Sequence, residues 1–208
     1  LARRRAVGYD RGKSMETLMT PRDILDFWFG KPDAPSYSEK RQIWFEKNED
    51  FDEEIRERFL PLVEDALEGG LSTWEGEPEG CLALIILLDQ FPRNLFRGTA
   101  RAFDGDMRAL ELAKMALAEG YDRKLLPLQR LFLYLPLEHS EDLADQDRSV
   151  ALFEKLSQET DDPSWHHYAV LHRDIIACFG RFPHRNTALG REMTEEEKTF
   201  LTQPNSAF

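Results

Sequence analysis

Apolar residues recur every three or four positions along nearly the whole chain, and runs alternating with period two are almost absent, so the pattern predicts helices. Thr20-Pro21 with Asp23 reads as a helix start, Ile24, Phe27 and Trp28 as the apolar face, and Gly30 as the stop. A short segment carries Ile43, Trp44 and Phe45. A longer helix is predicted over 50–68 from Phe51, Ile55, Phe59, Leu62, Ala66 and Leu67, with Pro61 expected to kink or divide it.

After Pro78, residues 79–90 form a helix apolar on every side in its middle, the mark of an interior element. A surface helix is predicted over 106–119 from Leu110, Ala113, Met115 and Leu117. Pro127 then opens a second interior helix over 128–135, with Pro136 expected to end it. Ser140 is read as the N-cap of an amphipathic helix through Leu143, Val150, Leu152, Phe153 and Leu156. Asp162-Pro163 starts another that reaches Phe179 before Gly180, and Thr194 with Glu197 caps a last short one.

Eight or nine helices joined by Gly- or Pro-marked turns predict an all-α fold. The expected architecture is antiparallel helix pairs stacked as a compact bundle or a short α-α superhelix, in one domain over 20–208. Residues 1–19 stand apart as a basic tail: Arg3, Arg4, Arg5, Arg11 and Lys13 face one acid, Asp10, without helical period. We read this tail as lying outside the fold, with Met15 or Met19 as alternative starts, or otherwise as a basic arm for anionic partners.

The chain's 208 residues, 41% hydrophobic, suffice for a sizeable core. A net charge of -12 argues against nucleic acid and anionic membrane surfaces as partners. Cys81 and Cys178 sit in apolar stretches far apart in sequence, which supports neither a disulfide framework nor a metal or redox motif, and a cytoplasmic setting is expected. The phosphate-loop, dinucleotide-fold, nucleophile-elbow and zinc-protease motifs are all missing from the sequence, and neither metal nor cofactor is expected.

Candidate chemistry lies where polar residues interrupt the apolar pattern, because burying an unpaired charge costs several kcal/mol, roughly, and must be compensated. Asp89 falls in the last turn of the first interior helix, where burial and the helix dipole both oppose its charge, so it needs a cation, and Arg93 is near. Glu138 and His139 hold the equivalent place after the second interior helix. His172 falls on the apolar face of the helix ending at Phe179, either as a hydrogen-bonded structural histidine or as a functional one. Arg181, His184, Arg185 and Asn186 follow that helix and suit capture of a carboxylate or phosphate.

The Phe-Pro loop Gln90-Phe91-Pro92-Arg93-Asn94 is echoed by Arg181-Phe182-Pro183-His184-Arg185-Asn186. If the helices stack as hairpins, these ends meet; the alternative is a purely structural charge network.

The blocks Leu87-Leu88-Asp89-Gln90-Phe91-Pro92-Arg93-Asn94, Phe96-Arg97-Gly98-Thr99, Leu133-Tyr134-Leu135-Pro136-Leu137-Glu138-His139-Ser140-Glu141-Asp142, His172-Arg173-Asp174 and Gly180-Arg181-Phe182-Pro183-His184-Arg185-Asn186 together resemble the bacterial domain-of-unknown-function 924 family. The resemblance runs from about Pro21 to Pro204. It implies a tetratricopeptide-like α-α superhelix and no settled activity, and a fold leaves function to be argued from the site.

Two functions follow from the residues. The first is a binding module whose groove, with Asp89, Arg93, Asn94, Glu138, His139, His172, Arg181, His184, Arg185 and Asn186 as candidate site residues, takes an anionic peptide or small anionic ligand. The second is a hydrolytic enzyme pairing Glu138 or Asp89 with His139, His172 or His184, with or without a metal.

Overall fold

The structure is a computed structural model that describes residues 19–34, 37, 39–204 and 206–207. The basic tail therefore lies outside the described residues, apart from Met19. Among the described residues the regular elements are all helical, as the periodicity predicts.

The first helix, α1 (Pro21–Phe29), starts on the Thr20/Asp23 capping box and buries Ile24, Leu25, Trp28 and Phe29. Helix α2 (Glu49–Leu67) is capped by Asn48, whose side chain accepts from the Phe51 N–H. Pro61 lies inside α2 and does not divide it, contrary to expectation. It sits on the exposed side, as does Glu57, whose carbonyl the proline leaves without a helical donor and water can reach. Phe51, Ile55, Phe59, Val63 and Ala66 anchor the helix to the core on both sides of the interruption.

The first interior helix is not uniform. It runs as α3 (Pro78–Ile85), passes through a π turn at Ile86–Gln90, and resumes as α4 (Phe91–Leu95). Pro92 has no N–H for the Leu88 carbonyl, so the ladder slips: the Phe91 N–H donates to Ile86 O, five residues back. Gly105 packs on the freed Leu88 carbonyl so closely that an added Cβ would come within 2.1 Å of its oxygen.

Helix α5 (Asp106–Ala118) turns Ala109, Leu112, Ala113 and Ala116 inward, while Leu110, Met115 and Leu117 are only half-buried. The buried face differs from the predicted one because it is built mostly of alanines, weak signals in a sequence, where α5 packs on α3 and α6.

The second interior helix, α6 (Pro127–Glu138), runs through Pro136 instead of ending there. Packing against α3, α5, α7 and α8 offsets a proline cost of about 3 kcal/mol. Helix α7 (Leu143–Thr160) is capped by Asp142, not Ser140: Asp142 Oδ1 accepts from Ala144 N at 2.8 Å, and Ser140 Oγ is turned to Asp145. A short link leads to α8 (Ser164–Phe179), which packs along α7 as a hairpin, and α6 lies against α7. Cys178 is exposed on α8 and Cys81 is buried in α3. The chain closes with α9 (Glu195–Phe200), capped by Thr194 and Glu197 as predicted.

Candidate functional site

The polar ends of the interior helices converge. Asp89, fully buried in the π turn, lies 2.7 Å from His139 Nδ1, just past the end of α6, and 3.3 Å from Arg93 Nη1 on α4. Gln90 Nε2 donates to its other oxygen at 2.5 Å. An ionised carboxylate only accepts, so His139 Nδ1 carries the hydrogen and its Nε2 keeps a free lone pair. Burial alone would push the Asp89 carboxyl upward, but Arg93, His139 and Gln90 together hold it well below the usual carboxylate range.

The two Phe-Pro loops meet at one acid. Arg93 forks onto Asp106, the first residue of α5, with Nη1–Oδ1 2.7 Å and Nη2–Oδ2 3.1 Å. Arg185 reaches the same carboxylate, Nη1–Oδ2 3.2 Å, and both guanidinium groups lie over the Phe103 ring. Phe91 and Phe182 of the echoed loops are both fully buried. The left-handed Gly180, φ 66°, turns the chain out of α8 and so positions the second loop.

Glu138 and His172 complete the cluster. Both are 5% exposed, with Glu138 Oε1 3.4 Å from His172 Nδ1, which donates to Tyr168 O at 2.9 Å. Burial, reinforced by Asp89, pushes the Glu138 carboxyl up to about 8, so it is protonated at neutral pH. Burial takes His172 down to about 3 and His184 to about 4, and lowers His139 despite the Asp89 charge. The site thus holds neutral imidazoles and a carboxylic acid beside two guanidinium groups. Arg185 falls to about 10 through burial and the nearby Arg93, and stays charged.

These groups border a cavity of about 720 Å³, within the range usual for small-molecule sites. Arg93, Asn94, Glu138, His139, His172, His184 and Arg185 line it, and Asp89 stands just behind His139. Trp44, Phe45, Phe153 and Trp165 give the same cavity an aromatic wall, and Phe103 lies under the two guanidinium groups. Tyr168 also lines the cavity and is exposed. Arg185 gives Asp106 only its Nη1; its Nε is buried and has no hydrogen-bond partner among the described residues.

Two candidates fall elsewhere. Arg181 forks onto the carboxylate of Glu197, at 2.7 and 2.9 Å, and donates to Glu192 O. Asn186 is fully buried beside Glu197, whose carboxyl its partners, chiefly Arg181, hold down near about 2. Arg181 thereby fastens the C-terminal segment, and both residues are absent from the cavity lining. Asn94 lines the cavity but gives its amide to Asp52 at 2.7 Å.

Sequence reasoning missed Asp106, because its partners are 13 and 79 positions away and an acid opening a helix looks ordinary. It also missed the aromatic wall, whose rings come from separate elements. Among the described residues no group of three or more His, Cys, Asp or Glu side chains is placed to hold a metal ion. No helix among them is long and apolar enough to cross a membrane.

Comparison with known proteins places this arrangement in a class without an assigned role. The family model described as "Bacterial protein of unknown function (DUF924)" matches residues 24–205, and the chain belongs to that family. A solved structure of the protein of unknown function ATU0120 from Agrobacterium tumefaciens is similar over 87% of this chain and 96% of its own, with 41% identity and a TM-score of 0.76. No curated protein matches the chain.

Proposed function

We propose that the protein binds a small amphipathic carboxylate in the cavity beneath the two Phe-Pro loops. The observation that carries this reading is the mixed lining, in which the guanidinium-bearing Arg93 and Arg185 share one cavity with the rings of Trp44, Phe45, Phe153 and Trp165. A guanidinium presents five N–H donors in a planar fork suited to carboxylate, and Arg185 spends one of them on Asp106. An apolar tail covers Trp44, Phe45 and Phe153, so head and tail are both accommodated.

The charge balance favours an anion over a cation. Asp89 and Asp106 are matched by Arg93 and Arg185, the histidines are neutral, and Glu138 as an acid offers a proton instead of a charge. A cation would find no free carboxylate among these groups; an anion finds N–H and O–H donors.

Titration with octanoate, and with octanol as the uncharged control, tests the reading by calorimetry and by the fluorescence of Trp44 and Trp165. Octanoate is expected to bind and raise the melting temperature, with Arg185→Gln weakening it by about tenfold or more, the loss of a charge-assisted pair. Equal binding of octanol and octanoate, or of neither, overturns it.

A further inference from the structure

The cavity holds, besides its anion-binding side, the parts of an acid/base pair. His139 is oriented through Nδ1 by the buried Asp89 at 2.7 Å, which fixes the tautomer with a basic Nε2. The preceding residue, Glu138, lines the same cavity, and the ring of His139 is 6.5 Å from that of His172, whose Nδ1 is 3.4 Å from Glu138 Oε1. Base and acid therefore border one cavity. The Arg185 guanidinium, which lines the cavity and gives Asp106 only its Nη1, is the third component, a donor for developing negative charge.

We infer that the protein is an esterase-type hydrolase, cleaving carboxylic esters of an apolar acyl group by direct attack of water, with His139 as general base, Glu138 as general acid and Arg185 as oxyanion donor. This rests on the carboxylate reading above, since the bound carboxylate is then the reaction's product.

The step balances without a further reagent. His139 Nε2 takes a proton from water as the water oxygen bonds to the acyl carbon, and the carbonyl oxygen becomes an oxyanion facing the Arg185 guanidinium. The tetrahedral centre collapses, the bond to the alkoxy oxygen breaks, and the Glu138 carboxyl proton passes to that oxygen, releasing the alcohol. The proton on His139 returns through solvent to Glu138, and the product acid ionises beside Arg185. The protonation states agree with these roles: His139 is neutral and able to accept, and Glu138 is held protonated by burial and Asp89. Asp89 does not touch the reacting atoms and acts as a positioning residue.

The experiment compares two octanoate esters on the purified full chain, one with the good leaving group p-nitrophenol and one with ethanol, the released acid being followed for both. Hydrolysis of each above the buffer rate is expected. His139→Gln should lower kcat/KM for the nitrophenyl ester by about 100-fold, the usual worth of a general base. Glu138→Gln should cost about tenfold more on the ethyl ester than on the nitrophenyl ester, because only a poor leaving group needs a proton in the transition state. Absence of hydrolysis by a wild-type protein that binds octanoate overturns the catalytic inference and leaves the binding reading standing; failure of octanoate to bind removes both. Equal losses on the two esters for Glu138→Gln, or an unchanged rate for His139→Gln, also overturn it. Should His139→Gln fail to fold, the leaving-group comparison on Glu138→Gln decides alone.

Discussion

The two halves of α6 bury opposite kinds of matter. Phe132, closing the first half, meets the rings of Trp28, Phe29 and Trp44 at centroid distances of 5.4, 5.5 and 4.9 Å, in edge-on arrangements typical of aromatic cores. Two turns on, Glu138 is as thoroughly buried, but beside His172 and close to Asp89. Burial stabilises the first half directly. At the second it shifts every titratable group towards its neutral form, except where a fixed counter-charge prevents it. The comparison teaches that the same helix can serve as core and as the floor of a site, depending on which residue types are enclosed.

The sharpest way to break the aromatic half is Phe132→Ala, which removes a fully buried ring with three aromatic neighbours and is expected to cost about 3 to 5 kcal/mol by urea denaturation. Octanoate affinity of the folded variant should stay within a few-fold of the parent's, since Phe132 does not line the cavity.

At the polar end the corresponding break is Asp106→Ala. It leaves Arg93 and Arg185 facing each other, with the Arg185 side chain only 7% exposed, and should cost about 3 kcal/mol, the lower end of the range for halving a buried ion pair because Arg93 remains partly solvated. Chloride or sulfate is expected to recover part of the loss by standing in for the carboxylate.

A third test uses pH. The folded protein keeps Glu138 protonated up to about 8, whereas an ordinary glutamate loses its proton near 4.5, so the folded state holds the extra proton and stability falls as pH rises between these values. His172 and His184 act the other way: the unfolded chain protonates them near 6.5, the folded protein only near about 3 and 4, so stability falls as pH drops below 6.5. Of these groups only Glu138 acts between pH 6.5 and 8, with a slope of at most about 1.4 kcal/mol per pH unit. The charged and titratable groups beside it are Asp89 and His172, and Arg93, His139, His184 and Arg185 share its cavity. Glu138→Gln should flatten that alkaline arm, measured by denaturation across the interval; an unchanged slope would show that Glu138 is already ionised.

The smallest effect is expected from Ser149→Ala on α7. Its hydroxyl is fully buried with no hydrogen-bond partner among the described residues, so removing it should leave stability within about 1 kcal/mol of the parent or raise it.

Much of this architecture was legible because helix signals are local. The capping boxes at Thr20 and Thr194 and the stops at Gly30 and Gly180 depend on residues a few positions apart, and the structure shows them where they were expected. The misread elements share a cause. Pro61 and Pro136 break a helix locally, but burial on both flanks outweighs the break; Ser140 fits a cap locally, but Asp142 takes that place while Ser140 serves Asp145.

Sequence alone determined that this chain is helical, which of its helices lie inside, and that Asp89, Glu138 and His172 are charged or polar groups in apolar settings. Periodicity and composition suffice for those, because each concerns one helix and its own residues. Only the tertiary structure decided that Arg93 and Arg185, from loops 92 positions apart, close on Asp106, that Arg181 turns away to fasten the C-terminal segment, and that an aromatic wall lines the same cavity. Such contacts depend on how whole helices pack, and packing energy is shared over many weak contacts that no local pattern records.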